Sequence, residues 1–143
     1  MSGTIEQIQR EIVDEFSFFS NWTDKYEYLI DMGKNLPLID PAYKTEDHLI
    51  KGCQSRVWLH ADLDQGRVKF TADSEAVITK GIIALLVRAL SGQRPEDIAT
   101  ADLHFIDEIG LKEHLSPTRS NGLAHMVRKM KMYGLAFTAN VGK

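Results

Sequence analysis

Val57-Trp58-Leu59-His60-Ala61-Asp62-Leu63-Asp64-Gln65-Gly66-Arg67-Val68-Lys69-Phe70-Thr71-Ala72 is the stretch that decides the fold class. Val57, Leu59, Ala61 and Leu63 fall on one side of an extended chain, with Trp58, His60 and Asp62 on the other. Asp64-Gln65-Gly66 is a turn, and Val68, Phe70 and Ala72 resume the alternation. Residues 56–73 therefore read as a β-hairpin. Just upstream, His48-Leu49-Ile50-Lys51 reads as a short further strand entering Gly52.

Helical patterns flank the strands on both sides. Thr4 and Gln7 form a capping-box pair, and Ile5, Ile8, Ile12, Phe16 and Phe19 recur at helical steps. After a break at Ser20-Asn21, Trp22, Tyr26, Leu29 and Ile30 share a face, with Gly33 as the expected stop. Leu36 to Asp47, with Pro37 and Pro41, reads as an irregular surface connector. Beyond the hairpin, Ser74 is the expected cap of a helix with Glu75 in its first turn. From Ala76 to Leu90 that helix is apolar nearly all round, the character of a buried spine ended by Gly92. Pro95-Glu96-Asp97 opens a short helical turn, and residues 101–115 read as a loop with short turns. Ser116-Pro117 opens a last helix whose stripe is Leu123, Met126, Val127, Met130, Tyr133 and Phe137, with a tail from Thr138 expected to fray. Contiguous strands between helices define an α+β fold: a small antiparallel sheet of about three strands packed against several helices, in one domain over 1–143.

The bulk properties exclude several classes. A net charge of −3, from 17 basic and 20 acidic residues, leaves no footprint for nucleic acid. No apolar run reaches the length of a membrane span, and the N-terminal residues lack a signal-peptide pattern. One cysteine cannot form an intrachain disulfide, so a cytoplasmic location is the default expectation.

That cysteine is Cys53, in Gly52-Cys53-Gln54-Ser55-Arg56-Val57-Trp58, at the junction of a loop and the hairpin. A lone cysteine is often a small buried hydrophobe. Against that, Cys53 follows a glycine outside any apolar period, and Lys51 and Arg56 flank it with charge that favours thiolate. Composition and spacing leave the two readings level. His48, His60, His104, His114 and His125 have no metal-ligand spacing, and no phosphate-binding glycine loop is present. Arg119 and nearby hydroxyls at the start of the last helix suit an anion or an acidic surface, though capping alone explains the hydroxyls.

Four spaced stretches together resemble the SufE family of sulfur acceptors. They are Trp22-x-x-x-Tyr26-x-x-Leu29-Ile30 with Gly33 and Leu36-Pro37; Gly52-Cys53-Gln54-Ser55-x-Val57-Trp58; Ser74-x-Ala76-x-Ile78-x-Lys80-Gly81; and Leu115-Ser116-Pro117-x-Arg119-Ser120-x-Gly122-Leu123. The resemblance implies an α+β domain similar to the IscU scaffold fold, with the reactive cysteine on a loop at one end. It implies an accessory protein rather than an enzyme, with no cofactor of its own. Its expected partner is a PLP-dependent cysteine desulfurase of the SufS or CsdA type, whose persulfide sulfur passes to Cys53 and on towards an iron–sulfur scaffold such as the SufBCD complex. The SufE and CsdE branches look alike. Glu75 stands where the motif usually has aspartate.

The shared logic of a persulfide carrier gives four expectations. Cys53 is turned into an apolar pocket in the free protein, and its loop opens to the donor. Gln54 and Ser55 shape the loop through hydrogen bonds; Arg119 contacts the loop or the partner; Glu75 does so if its longer side chain reaches. The rival readings are a non-covalent allosteric activator with Cys53 incidental, and a cysteine hydrolase with a histidine base.

Overall fold

In the computed structural model, which describes residues 3–141, the hairpin lies where the alternation placed it. Strand β1 (Val57–Asp64) pairs antiparallel with β2 (Arg67–Ser74), in a register running from Val57 opposite Ser74 to Asp64 opposite Arg67. The two-residue loop Gln65-Gly66 has φ of 52° and 78°, the left-handed pair whose twist suits a tight hairpin.

The sheet has two strands, not three. Leu49 makes only an isolated bridge to Trp58, and His48 belongs to a 3-10 turn over Glu46–His48. The reason is the length of the approach. The chain turns at Gly52, and only the Ile50 N–H reaches β1, donating to the Val57 carbonyl at 2.8 Å. This strap still covers the second face of the hairpin. Trp58, on the side expected to be polar, is 8% exposed beneath Leu49 and the Lys44 ammonium, which lies 4.5 Å from its ring centroid.

Helix α1 (Ile5–Ser17) starts with the expected reciprocal cap between Thr4 and Gln7. Helix α2 (Trp22–Lys34) is capped by Asn21 and runs one residue past Gly33. Gly33 is not a stop. It faces Gly81 of helix α3 (Val77–Leu90), where a Cβ would stand 3.1 Å from the Gly81 nitrogen, while a Cβ on Gly81 would stand 2.3 Å from the Leu29 carbonyl oxygen. The two glycines let α2 and α3 touch backbone to backbone. Helix α3 is the buried spine: Ile82, Ile83, Leu85, Leu86 and Leu90 are each at most 1% exposed.

The start of α3 differs from expectation. Ser74 closes β2, Ala76 is the N-cap residue, and Glu75 lies before the helix. The Ser74 hydroxyl donates instead to the Arg56 carbonyl at 2.9 Å, tying β2 to the end of the cysteine loop. Pairing in the hairpin outcompetes the cap.

Short helices α4 (Pro95–Ala99) and α5 (Phe105–Glu108) and a 3-10 turn at Lys112–His114 lead to α6 (Pro117–Val141). The tail from Thr138 remains helical as far as Val141; its last two residues lie outside the described ones. Leu123, Met126 and Met130 of α6 are each at most 2% exposed and join one core that begins at Ile8. Trp22 and Tyr26 set where α6 begins. The Trp22 ring stacks on His114, centroids 3.9 Å apart, and the Tyr26 hydroxyl donates to the His114 carbonyl.

Candidate functional site

Gly52 enters the cysteine loop with φ of 90°, a conformation that any side chain would strain. The loop ends are fixed by backbone. Ile50 is held to Val57, while the Arg56 carbonyl accepts from both the Ser74 hydroxyl and the Glu75 N–H. Between these anchors Cys53 turns towards the first turns of α6. Its thiol donates to the Gly122 carbonyl, with Sγ 3.6 Å from the oxygen. A Cβ on Gly122 would stand 3.4 Å from that sulfur, in ordinary van der Waals contact, so the loop lies close against α6.

Beneath the loop is a cavity of about 20 Å³, space for one water-sized body. Thr79 and Ile82 of α3 and Gly122 and Met126 of α6 form its inner wall. Cys53, Gln54, Ser55, Thr118 and Arg119 close its outer side. Cys53 is partly buried, and that removal from water pushes its thiol above the ordinary thiol range. The flanking cations therefore do not activate it. Arg56 pairs with Glu75, 3.7 Å apart, and Lys51 is exposed. In this conformation Cys53 is a protonated, sheltered thiol.

The structure brings Cys53, Gln54, Ser55 and Arg119 to one cavity and leaves Glu75 out of it. Glu75 touches the loop only through Arg56. Gln54 and Ser55 line the cavity, but among the described residues neither side chain forms a hydrogen bond; Ser74 and the Glu75 N–H do that shaping. Arg119 is exposed and without an ion pair among the described residues.

Thr79, Ile82 and Met126 had no signal of their own in the sequence, because each falls within an apolar helical period. Four of the five histidines are engaged elsewhere, and His125 packs on Gly52 at the start of the cysteine loop. His48 bonds His60, which bonds Asp62; His104 lies between Glu6 and Glu108; His114 stacks on Trp22. None among the described residues bonds the Cys53 sulfur. No three His, Cys, Asp or Glu side chains among them could hold a metal ion, and no helix is long and apolar enough to cross a membrane.

A loop-borne thiol held under an α+β scaffold matches a known family over most of the chain. The model of the SufE Fe–S metabolism associated domain matches residues 10–134. An uncharacterised SufE-like protein of Rhizobium meliloti is 40% identical over 126 residues, 85% of this chain and 90% of the relative. The chloroplastic/mitochondrial SufE-like protein 1 of Arabidopsis thaliana is 41% identical over 127 residues, 88% of this chain but 34% of that longer protein. The solution structure of a hypothetical protein from Thermus thermophilus shares the fold at a TM-score of 0.75 and 21% identity, covering 90% of this chain and 94% of that one. The chain belongs to the SufE family, and its domain is one associated with iron–sulfur metabolism.

Proposed function

We propose that this protein is a sulfur carrier: it accepts persulfide sulfur on Cys53 from a cysteine desulfurase of the SufS or CsdA type. It delivers that sulfur for iron–sulfur cluster assembly, to a scaffold such as SufBCD. The observation that carries the proposal is the Cys53 thiol, bonded to Gly122 over a cavity that has room for one further atom. A sulfane sulfur on Sγ would sit there among Thr79, Ile82 and Met126, away from reductants.

The chemistry is thiol exchange. The Cys53 proton leaves to solvent or a partner base as the loop opens, and the thiolate attacks the terminal sulfur of the donor persulfide. A bond forms between Cys53 Sγ and that sulfur, and the donor's S–S bond breaks. The donor cysteine leaves with the electron pair and takes up a proton, so there is no net oxidation or reduction. Burial keeps the thiol protonated when the protein is alone, so exchange is tied to loop opening by the partner.

Arg119, at the cavity mouth and without an ion pair among the described residues, is placed to meet the incoming anionic persulfide or the donor's surface. Gln54 and Ser55 form the lip that moves with Cys53. Glu75 acts at one remove, by holding Arg56 at the end of the loop. A single free thiol suits a reducing compartment such as the cytoplasm.

The test is desulfurase turnover with wild-type protein and with Cys53→Ser. Carriage predicts that stimulation is lost in Cys53→Ser. Full stimulation at saturating Cys53→Ser would replace carriage with non-covalent activation.

A further inference from the structure

His125 packs on the glycine that begins the cysteine loop. A Cβ built on Gly52 would lie 2.4 Å from His125 Cδ2 and 2.5 Å from Nε2, so the imidazole occupies the space that any side chain there would fill. The ring is partly buried and forms no hydrogen bond among the described residues; its contact with Gly52 is one of packing. His125 lies one helical turn beyond Gly122, the acceptor of the Cys53 thiol, and next to Met126 in the cavity wall. Helix α6 thus grips the loop on two sides: at the sulfur through Gly122, and at the preceding residue through the His125 ring.

We propose that His125 is the positioning residue that holds the Cys53 loop closed against α6, so that sulfur uptake requires Gly52 to part from its ring. The relevance to uptake rests on the sulfur-carrier reading, whereas the latch itself does not. Ile50 is buried and bonded to Val57, and Arg56 is tied to Ser74 and Glu75, so the moving segment is limited to residues 51–55. Within it, Gly52 is the one residue whose backbone accepts large φ changes at little cost, and the ring lies directly on it. The groove beyond the ring, shared by Lys51, Glu46, Asp47 and Arg128, lets the imidazole swing outward as the loop lifts.

The experiment compares the alkylation rate of Cys53 by iodoacetamide in the wild type, His125→Ala and His125→Phe, with thermal unfolding of each. The expected result is alkylation at least about fivefold faster in His125→Ala, a small change beside the roughly one to three orders of magnitude by which a closed state outweighs a minor open one. His125→Phe keeps a ring on Gly52 and restores slow alkylation. A wild-type rate in His125→Ala, or an equally fast rate in both variants, would overturn the latch. If His125→Ala melts much earlier than the wild type, His125→Phe and His125→Gln carry the test: Phe slow and Gln fast supports the latch, and equal rates overturn it. Because no partner is present, this result stands apart from whether Cys53 accepts sulfur.

Discussion

The Gly122 carbonyl oxygen accepts the Cys53 thiol at 3.6 Å, so a helix backbone, not a cation or a histidine, bonds the Cys53 sulfur. A neutral acceptor stabilises the protonated thiol and leaves the thiolate to form elsewhere.

Burial holds the Cys53 thiol above its ordinary range in the folded protein, so the neutral form persists to higher pH than in the unfolded chain. The stability this adds is present below the ordinary thiol range and is lost as pH rises through the raised value. Alkylation rate against pH should therefore have a more alkaline midpoint in native protein than in denaturant. Coincident midpoints would mean that the thiol is already in water.

Gly122→Ala places a methyl group 3.4 Å from the Cys53 sulfur and 3.8 Å from its Cα. Both are ordinary van der Waals contacts, so the loop should stay closed and alkylation should keep close to the wild-type rate; a marked acceleration would contradict this seating of the loop. Stability should rise by up to about 1 kcal/mol, alanine's gain in helix propensity over glycine. Chemical denaturation and alkylation on the same sample check both halves.

Gly81→Ala should be far more damaging, since its Cβ would stand 2.3 Å from the Leu29 carbonyl oxygen at the crossing of α2 and α3. Backbone cannot yield as a side chain can. A loss of about 2–3 kcal/mol is expected from overpacking a buried contact. A variant with wild-type denaturation would refute the backbone-to-backbone packing.

Arg88 of α3 reaches both carboxylate oxygens of Glu15 on α1, the Nη1 contact being 2.7 Å, and Tyr28 also donates to Glu15. Chiefly through Arg88, the Glu15 carboxyl is held below its usual range. Its contribution is present above the ordinary carboxylate range and is lost as pH falls through the lowered value. With about a third of each side chain exposed, Arg88→Met should cost about 1–2 kcal/mol near neutrality. The penalty should shrink in acid, as measured by denaturation at two pH values.

Arg119→Ala should leave the melting temperature unchanged, because the exposed guanidinium makes no ion pair among the described residues. It should slow sulfur uptake from a desulfurase several-fold. Unchanged uptake would remove Arg119 from the site.

The hairpin, the capped first helix, the apolar spine and the start of α6 were legible because each rests on local periodicity or cap chemistry. The strap before Gly52 was misread as a strand because its apolar residues cover Trp58 without pairing along their length. Gly33 looked like a helix stop because a close helix crossing and a C-terminal cap demand the same residue. Cys53 stands out as the single cysteine and Arg119 as a cation at a helix start, and the resemblance implies the role of Cys53, but their shared cavity is a long-range fact. So are the roles of Thr79, Ile82, Met126 and His125, which meet the loop only after α3 and α6 have packed. The thiol's state was the largest misjudgement from neighbours in sequence. Lys51 is exposed and Arg56 is paired to Glu75, and burial decides.

Sulfur carriage on Cys53 itself is read most directly from intact mass. The protein is incubated with a cysteine desulfurase and cysteine, separated without reductant, and its intact mass is measured beside that of Cys53→Ser. Carriage predicts a gain of one sulfur atom per chain, removed by dithiothreitol and absent from Cys53→Ser; no gain in the wild type, or an equal gain in Cys53→Ser, would contradict it.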